Sequence, residues 1–411
     1  MILCAKRREK GWRARQMNDW KNGDTLDKYI LIRRLHASRK DAVWTDVWKA
    51  VDPNDPTQFV VLKIRRATSD KEFGSMSCRA QNEVATLQAC HPHQHIAKCL
   101  DFFRVESSGE LVVVFPFYEH GSLVEYINAT VMRLVRNPSE AKRADLYMSG
   151  LPTTLVHRLF VQMVTALSHM HSRGVVHRDL KLQNVCVYGP LDNVSIVLID
   201  TEYSALVLPP DGVSYMYTEP CGTPAYAPFE IYTGDPYDPR FVDVWCLGVC
   251  MFIMLFGELP YHFEPDRPLK RFETPIVFPE PIDSNMMGLL TGMLTIDPEH
   301  RMDISRVEAH PAFLKMKQDV DGQCPCPLST PRSNKSSSDG LSDSYHDEIS
   351  SQPPSPSGAA GFESLQPLHP MDGSAVEALS PRSKKLGLGS LFQRLRRRIS
   401  QRTLLPGEPT N

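Results

Sequence analysis

Eight consecutive residues, 177–184, bring together the side chains of this sequence that are best suited to chemistry; they read His-Arg-Asp-Leu-Lys-Leu-Gln-Asn. An apolar helical pattern precedes them, and a β-like run follows and ends at Asp200. A loop in this place can direct the carboxylate of Asp179, the ammonium of Lys181 and the amide of Asn184 towards one point. Such a set suits phosphoryl transfer, which requires positioning and charge neutralisation rather than covalent chemistry.

Each of these side chains has a distinct predicted role. Asp179 would accept a hydroxyl proton and aim the nucleophile, and Lys181 would steady the terminal phosphate. Asn184 and Asp200 would supply the hard oxygen ligands that magnesium prefers. The alternative is a polar loop whose side chains only satisfy backbone groups, but the complete set in this order argues against that alternative.

The loop resembles the catalytic loop of eukaryotic protein kinases, H-R-D-x-K-x-x-N, and the resemblance extends over about residues 29–315. It implies an α+β fold with two lobes: a small β-rich N-lobe (29–115) and a larger, mainly α-helical C-lobe (119–315). The resemblance also implies that ATP and Mg²⁺ bind between the lobes. Nearest within the family is the calcium/calmodulin-dependent and AMP-activated kinase group.

A second set of predicted site residues lies in the N-terminal part. Lys63 interrupts an apolar strand, a costly placement unless its charge is paired, and Glu83 lies in a stretch that reads as a helix. By resemblance, Lys63 contacts the α- and β-phosphates and pairs with Glu83. The remaining nucleotide contacts implied by the resemblance are Val47, Phe115 as the residue that gates the adenine pocket, and the backbone of Pro116 and Tyr118 at the hinge.

Two segments depart from the family pattern. Residues 35–47, where the resemblance implies a glycine-rich phosphate loop, contain no glycine, and side-chain contacts from Arg39 and Lys40 are a conjectural substitute. Residues 200–202 read Asp-Thr-Glu in place of Asp-Phe-Gly. The metal-binding carboxylate is kept, but we expect a differently packed switch region and slower catalysis.

The segment up to residue 230 resembles an activation segment. Thr223, placed beside Lys181, is the arrangement of serine/threonine kinases. Glu219 stands where many relatives carry a phosphorylated threonine, which suggests a carboxylate beside Arg178 and partial activity without phosphorylation; a solvated loop glutamate is the alternative. The resemblance further implies a buried structural ion pair between Glu230 and Arg301 and a brace of the catalytic loop by Asp243.

Bulk composition restricts the remaining function classes. The formal net charge is −2, so no global field favours nucleic acid. The ten cysteines are scattered and suggest a reducing compartment. The basic N-terminal extension (1–28) lacks the apolar run of a secretory signal, and we expect no membrane-spanning segment. A cytoplasmic location follows, with the nucleus as an alternative.

The C-terminal part changes character twice. Residues 316–383 are rich in Ser and Pro and are typical of a disordered linker. Residues 384–405 place Leu, Phe and Ile on one helical face and most arginines on the other. Such a basic amphipathic segment binds a calmodulin-like protein or an anionic membrane surface, or else is a solvated basic tail.

The sequence therefore favours a serine/threonine protein kinase that acts on protein substrates. The main rival is a pseudokinase that serves as a scaffold or allosteric partner, which the glycine-free loop and the altered triplet suggest. A small-molecule kinase of related fold is disfavoured, because residues 223–230 resemble a platform for protein substrates.

Overall fold

The computed structural model describes residues 20–40, 43–136, 149–206, 216–279 and 281–322. The predicted amphipathic segment at 384–405 lies outside these residues, as do most of the predicted N-terminal extension and of the predicted linker.

The N-lobe is built on a six-stranded antiparallel sheet with the strand order β1-β2-β3-β4-β6-β5. Its strands are β1 Thr25–Leu26, β2 Tyr29–Lys40, β3 Val43–Asp52, β4 Asp55–Ala67, β5 Asp101–Arg104 and β6 Leu111–Pro116. Side chains alternate between the two faces of a strand, so Leu62 and Ile64 of β4 enter the sheet core while Lys63 and Arg65 share the opposite face. The sheet begins four residues before the predicted boundary at 29, because Leu26 is buried in the same core.

Helix α1 (Asp70–Ala89) covers the other face of this sheet and contains the predicted helical stretch around Glu83. Ser69 caps it, accepting a hydrogen bond from the amide of Glu72 at 3.4 Å. Met76 and Ala80 of α1 pack with Ala67 and Leu111 of the sheet. This packing places α1 alongside the strand that carries Lys63.

The C-lobe is mainly helical, as predicted. Its helices are α2 Leu123–Arg136, α3 Thr153–Ser172, α4 Pro239–Phe256, α5 Ser284–Met293, α6 Ile304–Ala309 and α7 Pro311–Asp321. Helix α7 continues beyond the predicted boundary at 315, because Phe313 and Met316 are buried against the core.

Helix α4 forms the centre of the C-lobe. It begins with Pro239 after the N-cap Asp238 and ends at Gly257, whose positive φ of 72° suits glycine. Contrary to our expectation, this helix is long and apolar enough to span a membrane, with a mean hydropathy of 1.7, but 89% of it is buried inside the protein. It is therefore the core helix of the lobe.

Two small antiparallel strand pairs flank the catalytic loop along the chain. Strand β7 (Val175–Val176) pairs with β10 (Ala205–Leu206), and β8 (Val185–Tyr188) pairs with β9 (Ser195–Leu198). The predicted fold class, α+β with a β-rich N-lobe and a helical C-lobe, is confirmed.

Candidate functional site

The catalytic loop is attached to the C-lobe core through one buried carboxylate. Asp243 of α4 accepts hydrogen bonds from the main-chain amides of His177 and Arg178, both at 2.8 Å, and contacts Nε2 of His171 at 2.9 Å. Its side chain is fully buried. Arg178 has a positive φ of 65°, an unusual conformation that this pair of amide contacts helps to hold. Asp243 thus sets the backbone path just before Asp179.

The carboxylate of Asp179 is surrounded by the predicted partners. Its Oδ2 accepts from Nζ of Lys181 at 2.6 Å and from the amide of Asn184 at 3.1 Å. Its Oδ1 accepts from the hydroxyl of Thr223 at 2.7 Å, and Lys181 also donates to that hydroxyl at 2.8 Å. The structure therefore brings Asp179, Lys181, Asn184 and Thr223 together, although Thr223 is 44 residues away in the chain.

The β8–β9 hairpin brings Asn184 close to Asp200. Val185 pairs with Leu198, and the amide of Ile199 donates to the carbonyl of Asn184 at 2.9 Å. The side-chain nitrogen of Asn184 donates to Asp179, which leaves its side-chain oxygen for another partner. An amide oxygen and an ionised carboxylate are hard ligands, so this pair fits Mg²⁺.

Lys63 links the N-lobe to Asp200. Its Nζ lies 3.0 Å from Oε1 of Glu83 and 2.5 Å from Oδ1 of Asp200. Burial opposes ionisation of Asp200, but the ammonium of Lys63 and the guanidinium of Arg65 hold the pKa of that carboxyl well below its usual range. Burial and the charge of Arg65 lower the pKa of Lys63, yet the surrounding carboxylates outweigh both and leave it raised. Lys63 and Asp200 are thus held charged in the same cleft.

Arg65 is a functional candidate that the sequence analysis missed. Its Nη2 lies 2.6 Å from Oε2 of Glu83 and 2.8 Å from Oε2 of Glu202. The residue is only 2% exposed. The sequence did contain an indication of this role, because Arg65 stands two residues after Lys63 and must share its strand face. The partner 137 residues away could not be read from that spacing.

The altered triplet is packed through polar contacts. Thr201, which replaces an aromatic, is fully buried and donates from its hydroxyl to the carbonyl of Glu83 at 3.2 Å. The side-chain amide of Asn82 donates to the carbonyls of Glu202 at 3.3 Å and Ser204 at 2.7 Å. The expected difference in packing is therefore seen as a polar attachment of residues 201–204 to α1.

The predicted adenine-side residues lie on adjacent strands. Val47 is paired with Lys63, and Val61 with Phe115, which is 8% exposed. Pro116 ends β6. The carbonyl of Tyr118 accepts from the amide of Gly121 at 3.2 Å, so that oxygen has one lone pair left for a base.

The described residues of the glycine-free segment, 35–40 and 43–47, lie in the paired strands β2 and β3. Strands β2 and β3 stay paired as far as Lys40 and Val43, with a register shift between Arg34 and His36. The guanidinium of Arg39 lies 5.0 Å from the ring centroid of Trp44, its cross-strand partner. The backbone of these two strands is therefore occupied by β-pairing at the place where a glycine-rich loop would allow close approach to phosphates.

The predicted charge pairing of Glu219 with Arg178 is wrong in this structure. The guanidinium of Arg178 reaches the main-chain carbonyl of Glu219 at 3.4 Å, not its carboxylate, and the hydroxyl of Tyr237 at 3.3 Å. It also lies 4.4 Å from the ring centroid of Tyr217. Tyr237 itself donates to the same carbonyl at 2.7 Å, so the main chain of Glu219 turns inward.

Two further contacts fix the activation segment. Gly222 has a φ of 91°, and a Cβ there would lie 2.7 Å from the carbonyl oxygen of Arg178, so only glycine allows this approach. The predicted ion pair is present: Arg301 contacts both carboxylate oxygens of Glu230, at 2.6 and 3.0 Å, in the buried core.

Comparison with known proteins agrees with this geometry. The protein kinase domain matches residues 44–313. NUAK family SNF1-like kinase 1 of Homo sapiens is 30% identical over 260 residues, which cover 62% of this chain and 34% of that protein. Testis-specific serine/threonine-protein kinase 5 of Mus musculus is 29% identical over 230 residues, 56% of each chain. CBL-interacting serine/threonine-protein kinase 16 of Arabidopsis thaliana is 29% identical over 244 residues, 50% of this chain and 51% of that protein. The chain thus spans about half or less of the length of these relatives.

Proposed function

Because the chain belongs to the protein kinase domain family, we propose that it transfers the terminal phosphoryl group of Mg·ATP to serine or threonine hydroxyls of proteins. The observation that carries this proposal is the contact of Lys63 with both Glu83 and Asp200. A lysine, a helix carboxylate and the carboxylate that would hold the metal come from three distant segments and meet at one point. A scaffold protein has no physical need for that convergence.

The chain's own residues divide the work of transfer. Asp179 orients the incoming hydroxyl and takes its proton, and Lys181 places a positive charge beside it. Asn184 and Asp200 would hold magnesium, which supplies charge neutralisation at the phosphates when it is bound. Lys63 would hold the α- and β-phosphates, and the backbone of Pro116 and Tyr118 the adenine.

The proposed preference for serine and threonine is based on the contacts of Thr223. Thr223 bridges Lys181 and Asp179 through its hydroxyl, at 2.8 and 2.7 Å. This bridge holds the start of the substrate platform close to the catalytic carboxylate. It thereby favours the short side chains of serine and threonine over the longer tyrosine.

The proposal is tested by transfer of radiolabelled phosphate from ATP to a generic protein substrate. The variant Asp179→Asn keeps the shape of the side chain but removes its basicity, and we expect the rate to fall by at least about 10²-fold. Binding of ATP, followed by thermal shift, should be unchanged in this variant. Equal rates for the wild type and D179N would contradict the proposal.

Two features favour the rival function of a nucleotide-binding or inert scaffold. Residues 35–47 contain no glycine, and in the described part of this segment the backbone is paired between β2 and β3. Glu202 adds a third carboxylate near Lys63, at 3.9 Å. A scaffold would show a thermal shift with ATP, or none at all, while transferring no phosphate. Measuring both thermal shift and transfer, with and without Mg²⁺, separates the three cases.

The predictions for the remaining chain stay open. We propose that segment 384–405 binds a calmodulin-like protein or an anionic membrane surface. A pull-down with this peptide, with and without calcium, and a vesicle co-sedimentation would distinguish these partners from a solvated tail. A cytoplasmic location, with the nucleus as an alternative, stays a prediction.

A further inference from the structure

Five charged side chains form a partly buried cluster around Lys63 and Arg65. It contains two cations from one face of β4 and three carboxylates, one from α1 and two from the segment after β9: Lys63, Arg65, Glu83, Asp200 and Glu202. Pairing of cations and carboxylates leaves one net negative charge. Buried charges are stable only when they are paired, so each member constrains the positions of the others.

The two carboxylate oxygens of Glu83 contact two different cations, Lys63 and Arg65. Oε1 of Glu83 faces Lys63 at 3.0 Å, and Oε2 faces Arg65 at 2.6 Å. Helix α1 is therefore tied to β4 at two points. If Lys63 turned towards a phosphate, Glu83 would keep Arg65 as a partner, so α1 would not lose its attachment to the strand.

Glu202 extends the same tie to the metal-binding segment. Its Oε2 lies 2.8 Å from Nη2 of Arg65, which thus bridges α1 and the segment that carries Asp200. A glutamate at this position, where the family pattern has glycine, would face Lys63, Glu83 and Asp200 with too few cations if Arg65 were absent. Arg65 and Glu202 are therefore mutually dependent.

We propose that Arg65 and Glu202 are positioning residues that lock α1 and the Asp200 segment onto β4 before any nucleotide binds, so that Lys63 is available to a phosphate. The idea rests on the proposed phosphoryl-transfer site but concerns its assembly. It predicts a site that is assembled without nucleotide.

The test compares amide hydrogen exchange in the nucleotide-free full chain. In Arg65→Met, we expect exchange in residues 70–89 and 200–206 to rise by about tenfold or more, because Glu83 and Glu202 then compete for Lys63. Exchange in α4 should not change, and serves as the internal reference. Adding Glu202→Gln to R65M removes the excess carboxylate, so the double variant should regain part of the protection.

The kinetics of phosphoryl transfer provide a second, independent test of the proposal. We expect R65M to raise KM for ATP and to lower kcat, with the fold-change in KM about tenfold larger than the fold-change in kcat. The reason is that the carboxylates that lose Arg65 keep Lys63 as their partner. The same Glu202→Gln change should reverse this increase. If the wild type transfers no phosphate but the exchange pattern holds, the proposed function fails and the lock survives.

Arg66 supplies a matched control on the same strand. It pairs with the buried Glu110 at 2.5 Å, away from the cluster. Arg66→Met should lower thermal stability and leave both the exchange of α1 and the KM for ATP as in the wild type. If R65M does not fold, Arg65→Lys keeps the charge but cannot span both carboxylates as well, and an intermediate rise in exchange is expected.

Two results would overturn the lock. One is an amide exchange rate of α1 in R65M that equals the rate in the wild type. Where R65M does not fold, the same comparison is made with R65K. The other is a double variant R65M/E202Q in which exchange is no slower than in R65M, since the lock requires that removal of one carboxylate relieves the loss of one cation.

Discussion

At the catalytic loop, two main-chain amides donate to Asp243, which lies inside the C-lobe core. At the phosphate end of the cleft, the contacts join charged side chains from β4, α1 and the segment after β9. The first arrangement lies within one packed lobe, and its partners cannot separate unless that core opens. The second joins segments that also pack on one another, such as α1 on the sheet through Met76 and Ala80, and here the balance of charges adds to that packing.

This difference indicates where the chain tolerates change. The catalytic loop keeps every residue of the family pattern, because its backbone path depends on single atoms at hydrogen-bond distance. The phosphate end has lost its glycines and an aromatic, yet Lys63, Glu83 and Asp200 still meet. An ionic cluster can accept new members when their charges are compensated, as Arg65 and Glu202 are.

The largest effect is expected from Asp243→Asn, which tests the rigidity of the first region. This change replaces one acceptor oxygen with a donor that faces a main-chain amide, so we expect a loss of about 3 kcal/mol in the free energy of unfolding. Urea denaturation followed by circular dichroism measures it. Transfer activity should fall as well, because the loop before Asp179 is released.

The neighbouring Asp238→Asn is the control for this change. Asp238 caps the same helix, and asparagine caps helices equally well, so the expected loss is under about 1 kcal/mol. A D243N protein as stable as D238N would show that the catalytic loop does not depend on its brace.

A smaller effect is expected from Gly222→Ala, which tests close approach at the catalytic loop. The new methyl group would lie 2.7 Å from the carbonyl of Arg178, and the φ of 91° adds strain. Gly234→Ala is the matched control, since Gly234 also has a positive φ, of 77°, but a Cβ there meets no atom within 4 Å.

We expect G234A to lose about 1 kcal/mol of stability through strain alone, and G222A to lose about 1–2 kcal/mol more. The transfer rate should fall about tenfold in G222A, because Thr223 moves relative to Asp179, with KM for ATP unchanged. Equal losses of stability in the two variants would mean that the segment simply moves away from Arg178.

The smallest expected effect is a pH dependence of the free energy of unfolding. It tests whether the ionic cluster is the acid-sensitive part of the fold. Asp200 has a depressed pKa, so its contribution to stability is lost only as the pH falls below the usual value of 3.8, and it has little effect between pH 6.5 and 4. The candidate is instead His93, stacked on His169 with ring centroids 4.5 Å apart. Burial, together with the nearby His169 and His95, lowers the pKa of His93 from 6.5 to about 4.

A lowered pKa on a base means that the unfolded chain binds a proton that the folded chain excludes. Stability is therefore complete above pH 6.5 and falls as the pH decreases towards 4. His93→Asn keeps an acceptor for the amide of His95 and should flatten this slope in urea titrations at several pH values. A residual slope is expected, because burial also lowers the pKa of His95 and His157. Identical slopes in both proteins would exclude His93 as the cause.

Much of the fold and site could be predicted from the sequence. The spacing within 177–184 identified three side chains that meet, and the apolar helical pattern before them corresponds to helix α3, Thr153–Ser172. A lysine inside an apolar strand required a buried partner, which was found at Glu83. Spacing along a single element or loop fixes which side chains share a face or a turn, whereas the choice of Glu83 as the partner of Lys63 came from the family resemblance.

Three features depended on tertiary structure. Arg65 meets Glu202 because β4 and the segment after β9 pack together, and Arg178 contacts the carbonyl of Glu219 because the chain turns there. Helix α4 reads as a possible membrane span, and only its burial shows it to be a core helix.

The sequence by itself determined which chemical groups are present and which lie on the same local face. The tertiary structure decided how distant charges are paired, since pairing depends on side-chain directions and on packing between segments. A strand period placed Lys63 and Arg65 side by side, but only the folded chain supplied the three carboxylates that determine what those two cations do.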